Sequence, residues 1–192
     1  MSARPWTRMA LVGVVAATTL GWGHHHSGTV IIGGSNAQRA TAVWALTRFA
    51  ADGLALPPLA ILFQVSESKC GGSLGSYADG TITVCGSRVT RMTRRTVLHE
   101  MAHAWTNSHL TAHQQARFLE SRALSTWNDA GVPWEERGFE QAAEMMSWAL
   151  CDQGTGYLRP LIPNNSVDQL TDGYELLTGK PLPRLGTRRI DR

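Results

Sequence analysis

The 192-residue sequence lacks the charge excess that marks many nucleic-acid-binding proteins. Its formal net charge is +3, and only 17% of its residues are charged. Arg4 and Arg8 lie in an N-terminal segment that we expect to be removed, and without them the net charge falls to about +1. Because nucleic-acid binding usually needs a clustered basic face, the composition gives no reason to expect a nucleic-acid partner.

The sequence also lacks a hydrophobic run long enough to cross a membrane. After Arg4 and Arg8, the apolar stretch runs from Met9 to Leu20, about a dozen residues against the roughly 20 that a spanning helix needs. A basic start followed by a short apolar run predicts a secretory signal peptide over residues 1–23. We therefore expect a secreted protein without stable membrane insertion after cleavage; an uncleaved N-terminal membrane anchor is the alternative.

The sequence also shows no internal repeat, and we expect no second domain. The length favours one domain, which we place at residues 35–180, with a C-terminal tail at 181–192. Residues 24–34 begin with His24-His25-His26, and because adjacent histidines in a coil have no preset metal geometry, we expect a flexible leader there. The protein is expected to be a monomer.

Cysteine is scarce, with three residues in the chain. This number fits an oxidising compartment with one disulfide and one remaining cysteine. Cys70 and Cys85 flank a glycine-rich stretch and are the favoured pair, which would close a loop contributing about 3 kcal/mol. Cys151 is then the remaining thiol, and a bridge to Cys151 is the alternative.

The first half of the chain predicts an α+β fold with a small mixed or antiparallel sheet. Ser35 and Gln38 form a capping box that opens a helix over about 36–52. Residues 59–65 are an apolar run of strand length, and Thr81–Cys85 alternates with β-branched residues, which indicates a second strand. Residues 66–85 are therefore expected to form a hairpin-like segment at the sheet edge.

The second half predicts helices. Hydrophobic periodicity places one helix at about 93–107, with a core stripe of Leu98, Met101, Ala102 and Trp105. A capping box at Thr111 opens another helix, which should carry Trp127 and end before Gly131. A third helix is expected from near Glu136 to before Gly154, and a short one at about 167–177.

The most informative motif is HExxH, formed by residues 99–103. On a helix, residues four apart lie on one face about 6 Å from each other, so His99 and His103 can bind one Zn²⁺. Glu100 then lies beside the metal, where it suits a general base for a water that zinc activates. The alternative is a pair of helix histidines without a metal.

A catalytic zinc site needs a third protein ligand. Glu140 can supply it from a downstream helix, and Glu144, one turn later, can accept the N–H of a ligating histidine. His109 is the alternative ligand, as in the metzincin pattern HExxHxxGxxH, in which a glycine turns the chain after the helix. Thr106 occupies the glycine position here, and Asn107 could end the helix instead. The remaining candidates have no supporting pattern: His113, Glu120 and Asp129.

These residues resemble the gluzincins, zinc metallopeptidases in which an HExxH helix is followed by a helix that supplies a glutamate ligand. The resemblance covers about residues 60–180. It rests on residues 99–105, Trp127, and residues 140–144 with Trp148, and it extends to small, secreted, uncharacterised bacterial metallopeptidases. It implies a zincin-like fold with Glu140 as third ligand and Glu144 orienting a histidine. The chain departs from the pattern in having Glu144 where large gluzincins usually have aspartate.

The expected function is therefore a secreted zinc metallopeptidase that hydrolyses peptide or protein substrates. No residue matches the transition-state-binding histidine or tyrosine of that group; the general candidates for oxyanion stabilisation are Tyr157, Tyr174, His109 and Arg122. A secreted zinc-binding pseudoenzyme that captures a peptide or cell-wall ligand is the competing hypothesis. The presence of Glu100 favours the enzyme, because a binding module has no evident use for it.

Overall fold

The computed structural model describes residues 28–151 and 160–183. The strands are β1 (Val30–Gly33), β2 (Ala60–Gln64), β3 (Gly75–Ala78) and β4 (Thr81–Cys85). The helices are α1 (Asn36–Ala51), α2 (Arg91–His109), α3 (Ala112–Arg122), α4 (Gly138–Leu150) and α5 (Val167–Thr178). Short 3₁₀ turns lie at Glu67–Cys70 and Trp134–Glu136.

The strands form one mixed sheet in the order β1-β2-β4-β3. β1 pairs in parallel with β2, and β2 in parallel with β4, so that Ile61 lies beside Ile82. β3 returns antiparallel to β4 through the turn at Asp79-Gly80 and lies at the edge of the sheet. The α+β expectation and the edge hairpin are confirmed, and the sheet is mixed.

Helix α2 is the central element of the core. It packs against the sheet and α1 on one side and along α4 on the other. Because it has neighbours on both sides, every residue from Val97 to Thr106 is buried. The expected stripe of Leu98, Met101, Ala102 and Trp105 is buried.

Several helix boundaries agree with the capping chemistry. Ser35 caps α1 and accepts a hydrogen bond from the Gln38 N–H. α2 begins two residues earlier than predicted because Thr90 and Thr93 form a capping box, and it continues two residues further, through His109. α4 begins at Gly138 and α5 ends at Thr178, within two residues of the predictions.

The helix expected to carry Trp127 is shorter than predicted. α3 ends at Arg122 because Ala123 adopts a left-handed conformation with φ 53°. Trp127 lies beyond the helix, and its ring packs edge-on against Phe118 and Phe139. The prediction failed because α3 ends in a left-handed alanine, a conformation that glycine or asparagine usually supplies.

The prediction of a flexible leader over residues 24–34 is wrong for residues 30–33, because they form β1. Pairing with β2 supplies these residues with backbone hydrogen bonds. The expected signal peptide at 1–23 lies outside the described residues, as do residues 24–27, 152–159 and 184–192. In the described part of the chain, no helix is long and apolar enough to cross a bilayer.

Cys70 and Cys85 form a disulfide with their Cα atoms 6.2 Å apart. It joins the first 3₁₀ turn to the end of β4, and the loop that it closes contains all of β3. Cys151 is half-buried at the end of α4. The disulfide therefore restrains the edge hairpin.

We expect the double variant Cys70→Ser/Cys85→Ser to fold less stably than the parent. Opening the loop should cost about 3 kcal/mol of unfolding free energy, which corresponds to a fall in Tm on the order of 10 °C. Thermal denaturation followed by circular dichroism measures the change. A reductant should lower the Tm of the parent and leave that of the variant unchanged; equal Tm values for parent and variant would contradict the expectation.

Candidate metal centre

Helix α2 presents His99, Glu100 and His103 from two successive turns. All three side chains are buried. The two imidazole rings meet edge to face, with centroids 4.6 Å apart. The helical spacing thus brings both rings to one point, as expected for residues four apart.

Glu140 approaches both histidines from the first turn of α4. Its Oε2 atom lies 3.2 Å from His99 Nε2 and 3.1 Å from His103 Nε2. The following residues, Ala142 and Ala143, are fully buried, and their small side chains allow α4 to lie close to its neighbours. Glu140, which lies 37 residues after His103 and 41 after His99, therefore meets both histidines through the packing of α4 on α2.

The three side chains can hold a divalent metal ion. One donor atom from each of His99, His103 and Glu140 lies within 4.8 Å of the other two. Two ligands bound tetrahedrally at ~2.1 Å from Zn²⁺ are about 3.4 Å apart, close to the spacing of Glu140 Oε2 from each imidazole nitrogen. Two imidazoles and one carboxylate are a ligand set that suits zinc and leaves a fourth position for water.

Glu144, one turn after Glu140, contacts the other ring nitrogen of His99. Its Oε1 atom lies 3.1 Å from His99 Nδ1. Its Oε2 atom is paired with the guanidinium of Arg95 and accepts a hydrogen bond of 3.0 Å from the Leu161 N–H. A proton on Nδ1 that is donated to Glu144 leaves Nε2 directed at the metal position.

His103 is oriented differently. Its ring stacks on Phe139 with centroids 3.9 Å apart and an interplanar angle of 20°. Its buried Nδ1 atom has no hydrogen-bond partner among residues 28–151 and 160–183. Within the described residues, packing rather than a hydrogen bond to Nδ1 therefore sets the orientation of this ring.

Burial and the carboxylates shift the pKa values of the histidines in opposite directions. Burial by itself lowers the pKa of His99, but hydrogen bonds to Glu140 and Glu144 outweigh it and raise the value to about 9. Burial dominates at His103 and lowers its pKa to about 4. Without metal, the cluster at neutral pH thus holds one charged and one neutral imidazole.

The acids of the site divide into two kinds. Burial tends to raise the pKa of Glu140, but hydrogen bonds from His103 and His99 lower it to about 2. Glu144 also has a lowered pKa, because His99 and Arg95 outweigh its burial. Burial raises the pKa of Glu100 to about 7. Glu100 is therefore the acid that can exchange a proton near neutral pH.

A cleft of about 260 Å³ opens beside these residues and includes His99, Glu100 and Glu144 in its lining. Ser73, Leu74 and Gly75, at the start of β3, form part of its lining, and Gly75 lies against Glu100. A Cβ atom at position 75 would be 2.5 Å from Thr96 Cγ2 and 2.8 Å from Glu100 Oε1. Glycine is thus required there for the strand to approach α2 so closely.

The other predicted candidates lie elsewhere. His109 ends α2, is exposed and stacks on Trp105, and its Nδ1 atom lies 3.0 Å from the Trp105 carbonyl. The helix does not stop at Asn107, so the chain does not turn His109 back to the site. Three further candidates are exposed: His113, Glu120 and Asp129.

Two of the candidates for oxyanion stabilisation, Arg122 and Tyr174, are buried and hydrogen-bonded to other parts of the protein. Arg122 is buried and donates to Gln141 and to the carbonyls of Pro163 and Asn164. Tyr174 is buried and donates its hydroxyl to Asp52. Tyr157 lies outside the described residues.

Sequence reasoning missed three residues that shape the site. Arg95 pairs with Glu144, Trp134 stacks over His99 with ring centroids 6.0 Å apart, and Phe139 stacks on His103. Helical spacing could have found Arg95, because it lies four residues before His99. The role of Trp134 depends on the irregular segment before α4 and had no comparable signal.

Comparison with known proteins yields no match to a protein-family model, a curated protein or a solved structure.

We expect zinc binding at pH 7 to release at least one proton. His99, with a pKa of about 9, is protonated in the metal-free protein, and Zn²⁺ must displace that proton to bind Nε2. The affinity should therefore rise as pH increases from 6.5 to 8.5. Calorimetry in buffers of different ionisation enthalpy measures the proton count; a heat independent of the buffer would contradict the expectation.

We expect Glu144→Gln to lower zinc affinity about 10- to 100-fold. The change removes the negative charge that supports His99 and pairs with Arg95. Competition with a chromophoric chelator gives the affinity. The matched control is Glu120→Gln, the same chemical change at an exposed site, which should bind zinc like the parent; a loss there would instead revive Glu120 as a ligand.

Proposed function

We propose that the protein is a secreted zinc-dependent metallopeptidase with a zincin-like fold. His99, His103 and Glu140 would hold Zn²⁺, and Glu100 would act as the general base. The proposal is carried by the cluster in which donor atoms of His99, His103 and Glu140 lie within 4.8 Å of one another. Glu100 is buried beside this cluster and also lines an open cleft.

A zinc ion in this position would supply a Lewis acid that polarises a carbonyl and makes water acidic near neutral pH. Glu100 takes the proton of the attacking water and returns it to the amine that leaves when the peptide bond breaks. The raised pKa of Glu100, about 7, suits a group that must both accept and donate a proton. Glu144 keeps His99 in the orientation that this chemistry needs.

The edge of the sheet supports a peptide as the substrate. The Cys85 N–H donates to the Leu74 carbonyl, so in the alternating antiparallel pattern Gly75 and Tyr77 direct their backbone groups away from β4. The Gly75 carbonyl already accepts a hydrogen bond of 2.7 Å from the Ser73 hydroxyl, so an extended peptide that pairs here as an additional strand would use mainly the Gly75 N–H and the backbone of Tyr77. Because Gly75 lies against Glu100, a peptide bound there would pass the general base.

Secretion is supported by two independent features. The N-terminal sequence has the basic start and short apolar run of a signal peptide. The Cys70–Cys85 disulfide fits the oxidising environment that such a signal leads to. Detection of the processed chain in the culture medium of an expressing cell tests this part of the proposal.

We expect Glu100→Gln to retain zinc and to lose hydrolysis by about 10²- to 10⁴-fold. Glutamine keeps the size of the side chain but cannot take a proton from water. Zinc content by elemental analysis and peptide-library cleavage by mass spectrometry give the two readouts. Glu175→Gln, an exposed site on α5, is the matched control and should cleave like the parent.

The outcomes separate the enzyme from a binding protein. Undiminished turnover in the Glu100→Gln variant would remove Glu100 from the mechanism. A parent protein that binds one zinc ion and cleaves no member of the library would favour the pseudoenzyme. A protein that takes up no zinc would overturn both functions and leave a structural cluster of histidines and acids.

A further inference from the structure

Three large apolar side chains stand exposed at the mouth of the cleft that Glu100 lines. Leu74 and Trp134 each expose 36% of their surface, and Leu161 exposes 68%. They come from three different parts of the chain: the start of the edge hairpin, the turn before α4, and the segment before α5. Exposed apolar side chains that converge on one cleft mark a ligand-binding surface.

Two of these apolar residues contact the metal centre, and the third is held by the sheet. Trp134 stacks over His99 with an interplanar angle of 19°. The backbone N–H of Leu161 donates to Glu144, and the carbonyl of Leu74 accepts from Cys85. The apolar rim, defined as Leu74, Trp134 and Leu161, is therefore fixed relative to Glu100 and preformed for a ligand.

Four ionisable residues line the cleft: Arg95, Glu144, His99 and Glu100. In the proposed function His99 is occupied by the metal and Glu100 by the attacking water, which leaves the Arg95–Glu144 pair to face a substrate side chain. Arg95 and Glu144 are paired with each other and buried. A charged substrate side chain would lose its water without gaining a counter-ion from this pair. An uncharged apolar side chain has no such cost and gains contact with the rim.

The size of the cleft limits the occupant. Its volume of about 260 Å³ is just below the roughly 300–1,000 Å³ of pockets that hold drug-sized ligands. It therefore suits one or two amino-acid side chains rather than a folded domain or a long sugar chain. Among the described residues, β3 pairs with another strand on one side only, so its outer edge beside Leu74 could pair with the backbone of the peptide that carries those side chains.

We propose that the apolar rim selects peptides with a bulky apolar side chain next to the bond attacked by the water that Glu100 deprotonates. Leu74, Trp134 and Leu161 are the specificity-determining residues. This inference rests on the proposed function, because it names the substrate class of the same site. Burying one leucine or phenylalanine side chain should favour such a substrate over alanine on the order of 10- to 100-fold in kcat/KM.

The test uses blocked peptides in which one residue of an otherwise glycine and alanine sequence is leucine, phenylalanine, alanine, aspartate or lysine. The zinc-loaded parent should cleave beside leucine or phenylalanine and discriminate against the other three. Leu161→Ala and Trp134→Ala should reduce this preference while retaining zinc. Val167→Ala, which removes a 64% exposed side chain outside the cleft lining, is the matched control and should retain it.

A second readout separates the two proposals. Binding of the same peptides, fluorescently labelled, to zinc-loaded Glu100→Gln protein reports on the rim without any cleavage. Tighter binding of leucine or phenylalanine peptides, weakened by Leu161→Ala, supports the inference even if the parent cleaves nothing and the peptidase proposal fails. The inference would be overturned by cleavage or binding without preference, or by a preference for lysine or aspartate. Cleavage of any of the peptides would still leave the peptidase proposal standing.

Discussion

The contact on which the rest of the structure depends is that of His99 with two carboxylates one helical turn apart on α4. Glu140 meets its Nε2 atom and Glu144 its Nδ1 atom. Charges that lose their water must be paired, so this imidazole and these acids hold α2 and α4 in one register. Arg95, Leu161 and His103 are then joined to the same cluster through the two glutamates.

Stability alone does not account for such a cluster. Replacing a buried ion network by well-packed apolar residues is often neutral or stabilising, and α2 and α4 already contribute fully buried residues such as Met101 and Met145 to one apolar core. A metal site would account for it. Two imidazoles and a carboxylate converge on one point, and Glu144 turns one imidazole toward it, which is the arrangement that ligand orientation requires.

The sheet contributes to the same site through Gly75, which has no side chain. With no side chain there, β3 lies directly against Glu100 and Thr96, and the disulfide restrains the loop that carries it. The outer edge of β3, Glu100 as the proposed general base and the apolar rim are consequently neighbours. The proposed peptidase function and the proposed selectivity both follow from that proximity.

The sequence by itself determined the elements whose signals are local. The HExxH spacing, the capping box at Ser35 and the alternation of Thr81–Cys85 specify a helix face, a helix start and a strand, because each depends on contacts within a few residues. Local signals were insufficient where tertiary packing decides the conformation. Ala123 ends α3 in a left-handed conformation, and residues 30–33 become β1 only because β2 is there to pair with.

The tertiary structure alone decided between the alternative third residues of the cluster. Glu140 and His109 were both compatible with the sequence, since neither local spacing nor charge fixes how distant helices pack. The continuation of α2 through His109 and the close packing of α4 against α2 place Glu140 at the histidines and leave His109 stacked on Trp105. The positions of Trp134 and Leu161 over the cleft were decided in the same way, because they depend on irregular segments that only the folded chain brings together.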